Sequence, residues 1–183
     1  MRRPLLALLL ALPLAVQPSS SGARASDLVG PESCRTCHAE AWKLWSQGPH
    51  ARAAEVLTGP QRTAPLCLQC HSRDEVRSGA AAVAGVSCET CHGGGRFYQP
   101  AIVMRDHDLA RAFGLADLTA ANAGPLCLSC HGGEQQLLSG PFDLKAALAK
   151  IDHWTADRAA RNSARQGDRT APRPMLAAWL RSR

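Results

Sequence analysis

Every cysteine in this chain belongs to one repeated arrangement: two thiols three residues apart, with a histidine directly after the second. The four copies are Cys34, Cys37 and His38; Cys67, Cys70 and His71; Cys88, Cys91 and His92; and Cys127, Cys130 and His131. On a helical turn this spacing brings both sulfurs to one edge and the imidazole beside them. Two thiols can then add to the two vinyl groups of a porphyrin while the histidine binds its iron, the attachment chemistry of c-type haem. Four copies predict four covalently attached c-type haems.

Other cysteine chemistry accounts for less of the pattern. Two zinc sites of four cysteines each would use all 8 thiols but leave unexplained why a histidine follows each pair. Four disulfides would be stable in an exported protein, yet they too ignore the histidines.

Iron in haem has two axial positions, so four haems offer eight. The motif histidines His38, His71, His92 and His131 fill four of them. Of the 7 histidines, only His50, His107 and His153 remain. All three are candidate ligands, and together they cannot close every iron within one chain. At least one haem must take Met104, Met175 or another donor, or stay open. A thioether also packs well against a porphyrin without ligating it.

Short helices joined by loops must position these groups. Ala39–Gln47 and Ala51–Leu57 read as helical. The glycines after His92 and His131 end the turns that carry motifs three and four. Phe142–Asp152 places Leu144, Leu148 and Ile151 on one stripe. Arg158–Arg173 reads as a flexible linker, and Pro174 as the start of a last helix with Leu176, Trp179 and Leu180 on its apolar side. No strand pattern is evident. Motifs one and three share Ser-Cys-x-Thr-Cys-His, and motifs two and four share Pro-Leu-Cys-Leu-x-Cys-His; two dihaem modules at 26–80 and 81–140 would explain this, as would a common preference of haem-binding turns for similar small residues.

Residues 1–25 have the layout of a signal peptide: Arg2 and Arg3, an apolar run from Leu5 to Val16, then Ala23-Arg24-Ala25 before Ser26. The expected location is therefore periplasmic. The run is shorter than the roughly 20 apolar residues a membrane span needs. Removing the leader takes away three arginines, leaving 18 basic and 15 acidic residues. The formal charge of +6 thus falls to +3, which eight haem propionates would offset, and no nucleic-acid motif accompanies the arginines. A tetrahaem domain at 26–154 and an Arg-rich tail at 155–183 complete the division. With only about 40 residues per haem, the porphyrins must replace much of the apolar core. The fold class is mainly α: a small multihaem cytochrome c whose short helices and long loops wrap four closely packed haems.

Two segments beyond the haem motifs resemble the cytochrome c-554 family. After the first motif come Trp45, Ser46, His50 and Ala51; around the third runs Gly85-Val86-Ser87-Cys88-Glu89-Thr90-Cys91-His92-Gly93-Gly94-Gly95-Arg96-Phe97. The family comprises tetrahaem electron-transfer partners of hydroxylamine oxidoreductase. The resemblance implies that His107 caps the first haem opposite His38, His50 the third opposite His92, and His153 the fourth opposite His131. The second haem, on His71, would then be five-coordinate. His107 lies somewhat later than the family pattern expects, and the chain after motif four is shorter.

Three functions follow as expectations. The first is an electron relay between a multihaem oxidoreductase and a downstream cytochrome or quinone-linked membrane acceptor. The second is reduction of nitric oxide or another small nitrogen compound at an open His71 haem, with Arg73, Asp74 and Glu75 as candidate proton donors; a solvated charged turn is the plainer reading of those three residues. The third is docking to a larger complex through the Arg-rich tail.

Overall fold

The computed structural model describes residues 27–78, 85–119, 121–133, 140–167 and 182. The proposed leader, Met175 and the helix expected after Pro174 lie outside these residues. Among the described residues there is no strand, and no helix is long and apolar enough to cross a membrane.

The helices are short, and four of the ten carry or open a Cys-x-x-Cys-His turn. In chain order they are α1 (Pro31–Arg35), α2 (Ala39–Gln47), α3 (Pro65–His71), α4 (Arg73–Ser78), α5 (Cys88–His92), α6 (Ala101–Met104), α7 (His107–Ala112), α8 (Gly124–His131), α9 (Leu144–Lys150) and α10 (Trp154–Gly167). Proline stands in the first turn of α1, α3 and α8, where its missing N–H costs nothing. The α2 bounds match the sequence expectation. Residues 51–57, expected to be α-helical, instead form a single 3-10 turn at Ala53–Val56.

Helix α9 begins later than the apolar stripe implied, because Asp143 caps it by accepting the Ala146 N–H at 3.1 Å. A larger difference concerns Arg158–Arg173. Residues 158–167 are not a linker but most of α10, which packs against α2. Its N-terminus is capped by Asp152, whose Oδ1 accepts from the Trp154 and Thr155 amides at 3.2 and 3.0 Å.

The buried groups are unusually polar. Leu57, Leu68, Val86, Tyr98, Ala110 and Ala123 form the apolar core, while Asp74, Glu89 and Asp157 are charged residues buried with them. Each carboxylate joins separate parts of the chain. Glu89 accepts from the amides of Val29 (2.9 Å), Gly30 (2.7 Å) and Gly95 (2.7 Å), fastening the 27–30 segment onto the loop after motif three. Asp74 accepts from Ser87 and, at 2.9 Å, from Thr90, tying α4 to α5. Asp157 links α10 to motif one.

Two glycine sites permit close backbone approach. Gly85 has φ +134°, and a Cβ there would run into the carbonyl oxygens of His50 and Ala51. Gly94 packs so tightly on Asp27 that a Cβ would lie 2.7 Å from the Asp27 Cβ.

Candidate haem centres

Each Cys-x-x-Cys-His motif is wound into a turn. Motifs two, three and four lie within α3, α5 and α8. Motif one leaves α1 at Arg35, but the amides of Cys37 and His38 both return to the Cys34 carbonyl, at 3.1 and 2.9 Å. Ser87 caps α5, accepting the Glu89 N–H at 3.1 Å. All eight thiols are free. Among the described residues, no three His, Cys, Asp or Glu side chains gather as a metal-ion site, so the two four-cysteine zinc sites are not assembled.

The motifs meet through their sulfurs. Cys34 and Cys88 are hydrogen-bonded to one another, an interaction that lowers the Cys34 pKa and raises that of Cys88. Burial raises the Cys70 pKa, and Cys130, hydrogen-bonded to it, raises it further. Burial also pushes Cys91 up to about 11, aided by Cys127, Asp74 and Cys130. These influences link motif one to three, three to four and four to two, and the packing of α1 on α5 and of α3 on α8 crosses between 26–80 and 81–140.

Two pairs of imidazoles test whether the chain can hold iron. The rings of His50 and His131 have centres 6.2 Å apart, and those of His92 and His153 are 6.1 Å apart. A first-row metal sits about 2.0 Å from an imidazole nitrogen and roughly 1.1 Å further from the ring centre, so two such ligands on one ion place their centres roughly 6 Å apart. Both pairs fit that separation. Burial and the neighbouring His153 and His38 push His92 down to about 4, and burial with His131 and His153 lowers His50. Both imidazoles are thereby kept neutral, the form that binds metal.

This geometry reverses two pairings that the resemblance implied. His50 stands against His131 rather than His92, and His153 against His92 rather than His131. His50 is directed by the contact of its segment with residues 85–86: Trp45 Nε1 donates to the Val86 carbonyl at 2.9 Å, and the Val86 amide donates to the His50 carbonyl at 2.8 Å. Phe142 stacks on His131 with centres 4.8 Å apart and restrains its rotation. His107 opens α7 on the surface and makes no ring contact with another described histidine, so the structure does not bring it to His38. Met104 ends α6, half-buried.

The second ring nitrogens are also held. His71 Nδ1 lies 2.6 Å from the Ala53 carbonyl oxygen, and His153 Nδ1 lies 2.8 Å from that of Ile151. His38 Nδ1 instead lies 3.1 Å from Asp157 Oδ2. An acceptor at Nδ1 fixes the proton there and leaves Nε2 for a metal. Sequence reading found all the histidines but missed Asp157, Glu89 and Phe142. Glu89 occupies a variable position inside a motif, and Asp157 lies 119 residues from its histidine.

His71 has no imidazole opposite it among the described residues. A cavity of about 320 Å³ opens beside it, lined by Pro49, Arg52, Ala53, Glu55 and Val56. Arg73 donates to Ser129 at 3.3 Å, and Asp74 is turned into the protein toward Ser87 and Thr90. Asp74 is therefore buried rather than solvated, while Arg73 stays partly exposed. The side chain of Glu75 lies outside the described residues.

Residues 33–93 match the protein family described as cytochrome c554 and c-prime. The match takes in the first three motifs, the first segment that carried the resemblance and the second as far as Gly93. No curated protein and no solved structure matches the chain.

Proposed function

We propose that this chain, whose residues 33–93 match the family described as cytochrome c554 and c-prime, is an exported periplasmic cytochrome that carries four c-type haems. It relays electrons from a multihaem oxidoreductase to a downstream cytochrome or membrane acceptor. The family makes electron transfer through covalently bound c-type haem the function class. The observation behind the relay reading is the packing of the motif-bearing helices, α1 on α5 and α3 on α8, with Cys91 of motif three under the influence of Cys127 and Cys130 of motif four.

Bound haem would supply a one-electron couple at each motif. The chain contributes position and constancy. Paired thiols on one turn fix each porphyrin by two covalent bonds. The packing of α1 on α5 and of α3 on α8 would set the attached groups against one another, so that no large protein movement is required between them. His50 with His131, and His92 with His153, would hold the same two ligands in both redox states. The hydrogen bonds at His71 and His153, and the stacked Phe142, oppose ring rotation. The exposed apolar side chains of Val56, Leu66 and Ile102 offer surface of the kind a porphyrin covers.

The test is stopped-flow reoxidation of the reduced holoprotein by a small soluble cytochrome. All four haems should empty through the molecule in rapid phases. Exchange no faster than that of free haem would end the relay reading.

A second reading, reduction of nitric oxide or a related small nitrogen compound, has its own support at His71. This histidine lacks an opposing imidazole, and Glu55 and Arg52 line the cavity beside it. A carboxyl group there could serve as a proton donor. Single-turnover mixing of the reduced protein with nitric oxide distinguishes the readings: consumption of the gas with oxidation of several haems supports catalysis, whereas binding alone leaves a carrier.

A further inference from the structure

The histidines differ in what holds their second nitrogen. His71 and His153 face backbone carbonyls, which are neutral acceptors. His38 faces the carboxylate of Asp157, a residue only 4% exposed. An anion at this position draws the Nδ1 proton toward itself and makes the other nitrogen a stronger electron donor. Burial keeps water from screening the effect.

The carboxylate has a second partner. Arg161, one turn further along α10, donates through Nε to the same Oδ2 at 2.6 Å. Its guanidinium competes with His38 for the electron density of that oxygen. Because α10 packs on α2, directly after His38, the pair is presented to the first motif by a helix rather than a loop.

We propose that Asp157 is a positioning residue for the haem of motif one: by binding His38 Nδ1 it strengthens that ligand and lowers the reduction potential of this haem, while Arg161 limits the effect. The proposal rests on the reading that motif one carries haem. It gives the α10 segment a part in setting the order in which the haems fill with electrons. No proton or further reactant is required; the shift arises because a stronger donor stabilises the ferric state over the ferrous one.

The experiment is a potentiometric titration of the holoprotein, followed by visible absorption and electron paramagnetic resonance, on wild type, Asp157→Asn and Arg161→Gln. Asp157→Asn should shift one of the four one-electron steps upward by at least tenfold in its equilibrium constant, about 59 mV, and change the g values of one haem only. Arg161→Gln should shift the same step downward by at least twofold. The proposal is overturned if no step moves, if all four move alike, or if both variants shift the step in the same direction. Should Asp157→Asn fail to mature, Arg161→Gln decides alone: a fall in one step supports the proposal, and no change or a rise overturns it. Wild-type protein carrying no haem at motif one, seen by peptide mass spectrometry, would instead remove the reading on which the proposal rests.

Discussion

The imidazole planes of His92 and His153 stand at 87° to one another across a centre-to-centre distance of 6.1 Å. Those of His50 and His131 meet at 43°. The two pairs thus offer iron different axial symmetry, although their ligand types are the same. Perpendicular planes leave the two iron π-orbitals nearly equal in energy, which widens the g spread of a low-spin ferric haem. The ferric holoprotein is expected to show one low-spin signal with a large maximum g value and a second, less anisotropic one.

Substitution of the distal histidines separates the pairings. His153→Ala should abolish the large-g signal and create a high-spin one, leaving the second low-spin signal in place. His50→Ala should do the reverse. If His50→Ala removes the large-g signal, then His50 faces His92 and the geometry described here is wrong.

Covalent attachment is the most direct expectation. Intact-mass measurement of the exported protein should show the added mass of four haems, and Cys88→Ser with Cys91→Ser should reduce this to three. Zinc in place of haem, or no added mass, would contradict the assignment of all four motifs.

Glu89 satisfies three backbone amides from two distant segments. Hydrogen bonds to a charged group contribute about 1.5–3 kcal/mol each. Glu89→Ala should therefore destabilise the holoprotein by at least about 3 kcal/mol, read from the denaturant midpoint. Glu89→Gln keeps one carbonyl acceptor and should lose less. Equal stability of wild type and Glu89→Ala would show that the 27–30 segment is not held as described.

Gly85 meets His50 and Ala51 in a backbone conformation that side chains rarely adopt. Gly85→Ala should push the 50–51 segment away and loosen the hold on His50, at a cost of about 1–3 kcal/mol. The expected result is a new high-spin fraction with the large-g signal intact. An unchanged spectrum would show that Gly85 does not position His50.

The parts legible in the sequence were those encoded locally. Each Cys-x-x-Cys-His turn, the bounds of α2 and the glycine stops after His92 and His131 depend on neighbouring residues. The ring partners of His50 and His153 were not legible, because they depend on contacts across about 80 and 60 residues of chain. Helix α10 was misread as a linker for another reason. Its packed face presents Asp157 and the partly buried Arg161, rather than an apolar stripe, and Asp157 reaches His38 by a side-chain hydrogen bond that hydrophobic periodicity does not register. The carboxylates Asp74 and Glu89 were hidden in the same way.

Glu89 stands between Cys88 and Cys91, yet it grips the amide of Val29, 60 residues earlier. A polypeptide made amino end first cannot latch its beginning until that third turn has also emerged. The opening two pairs of thiols consequently spend the interval on unlatched chain. The order of assembly is thereby set by the route of the backbone, and closure of the 27–30 segment must wait for residue 89.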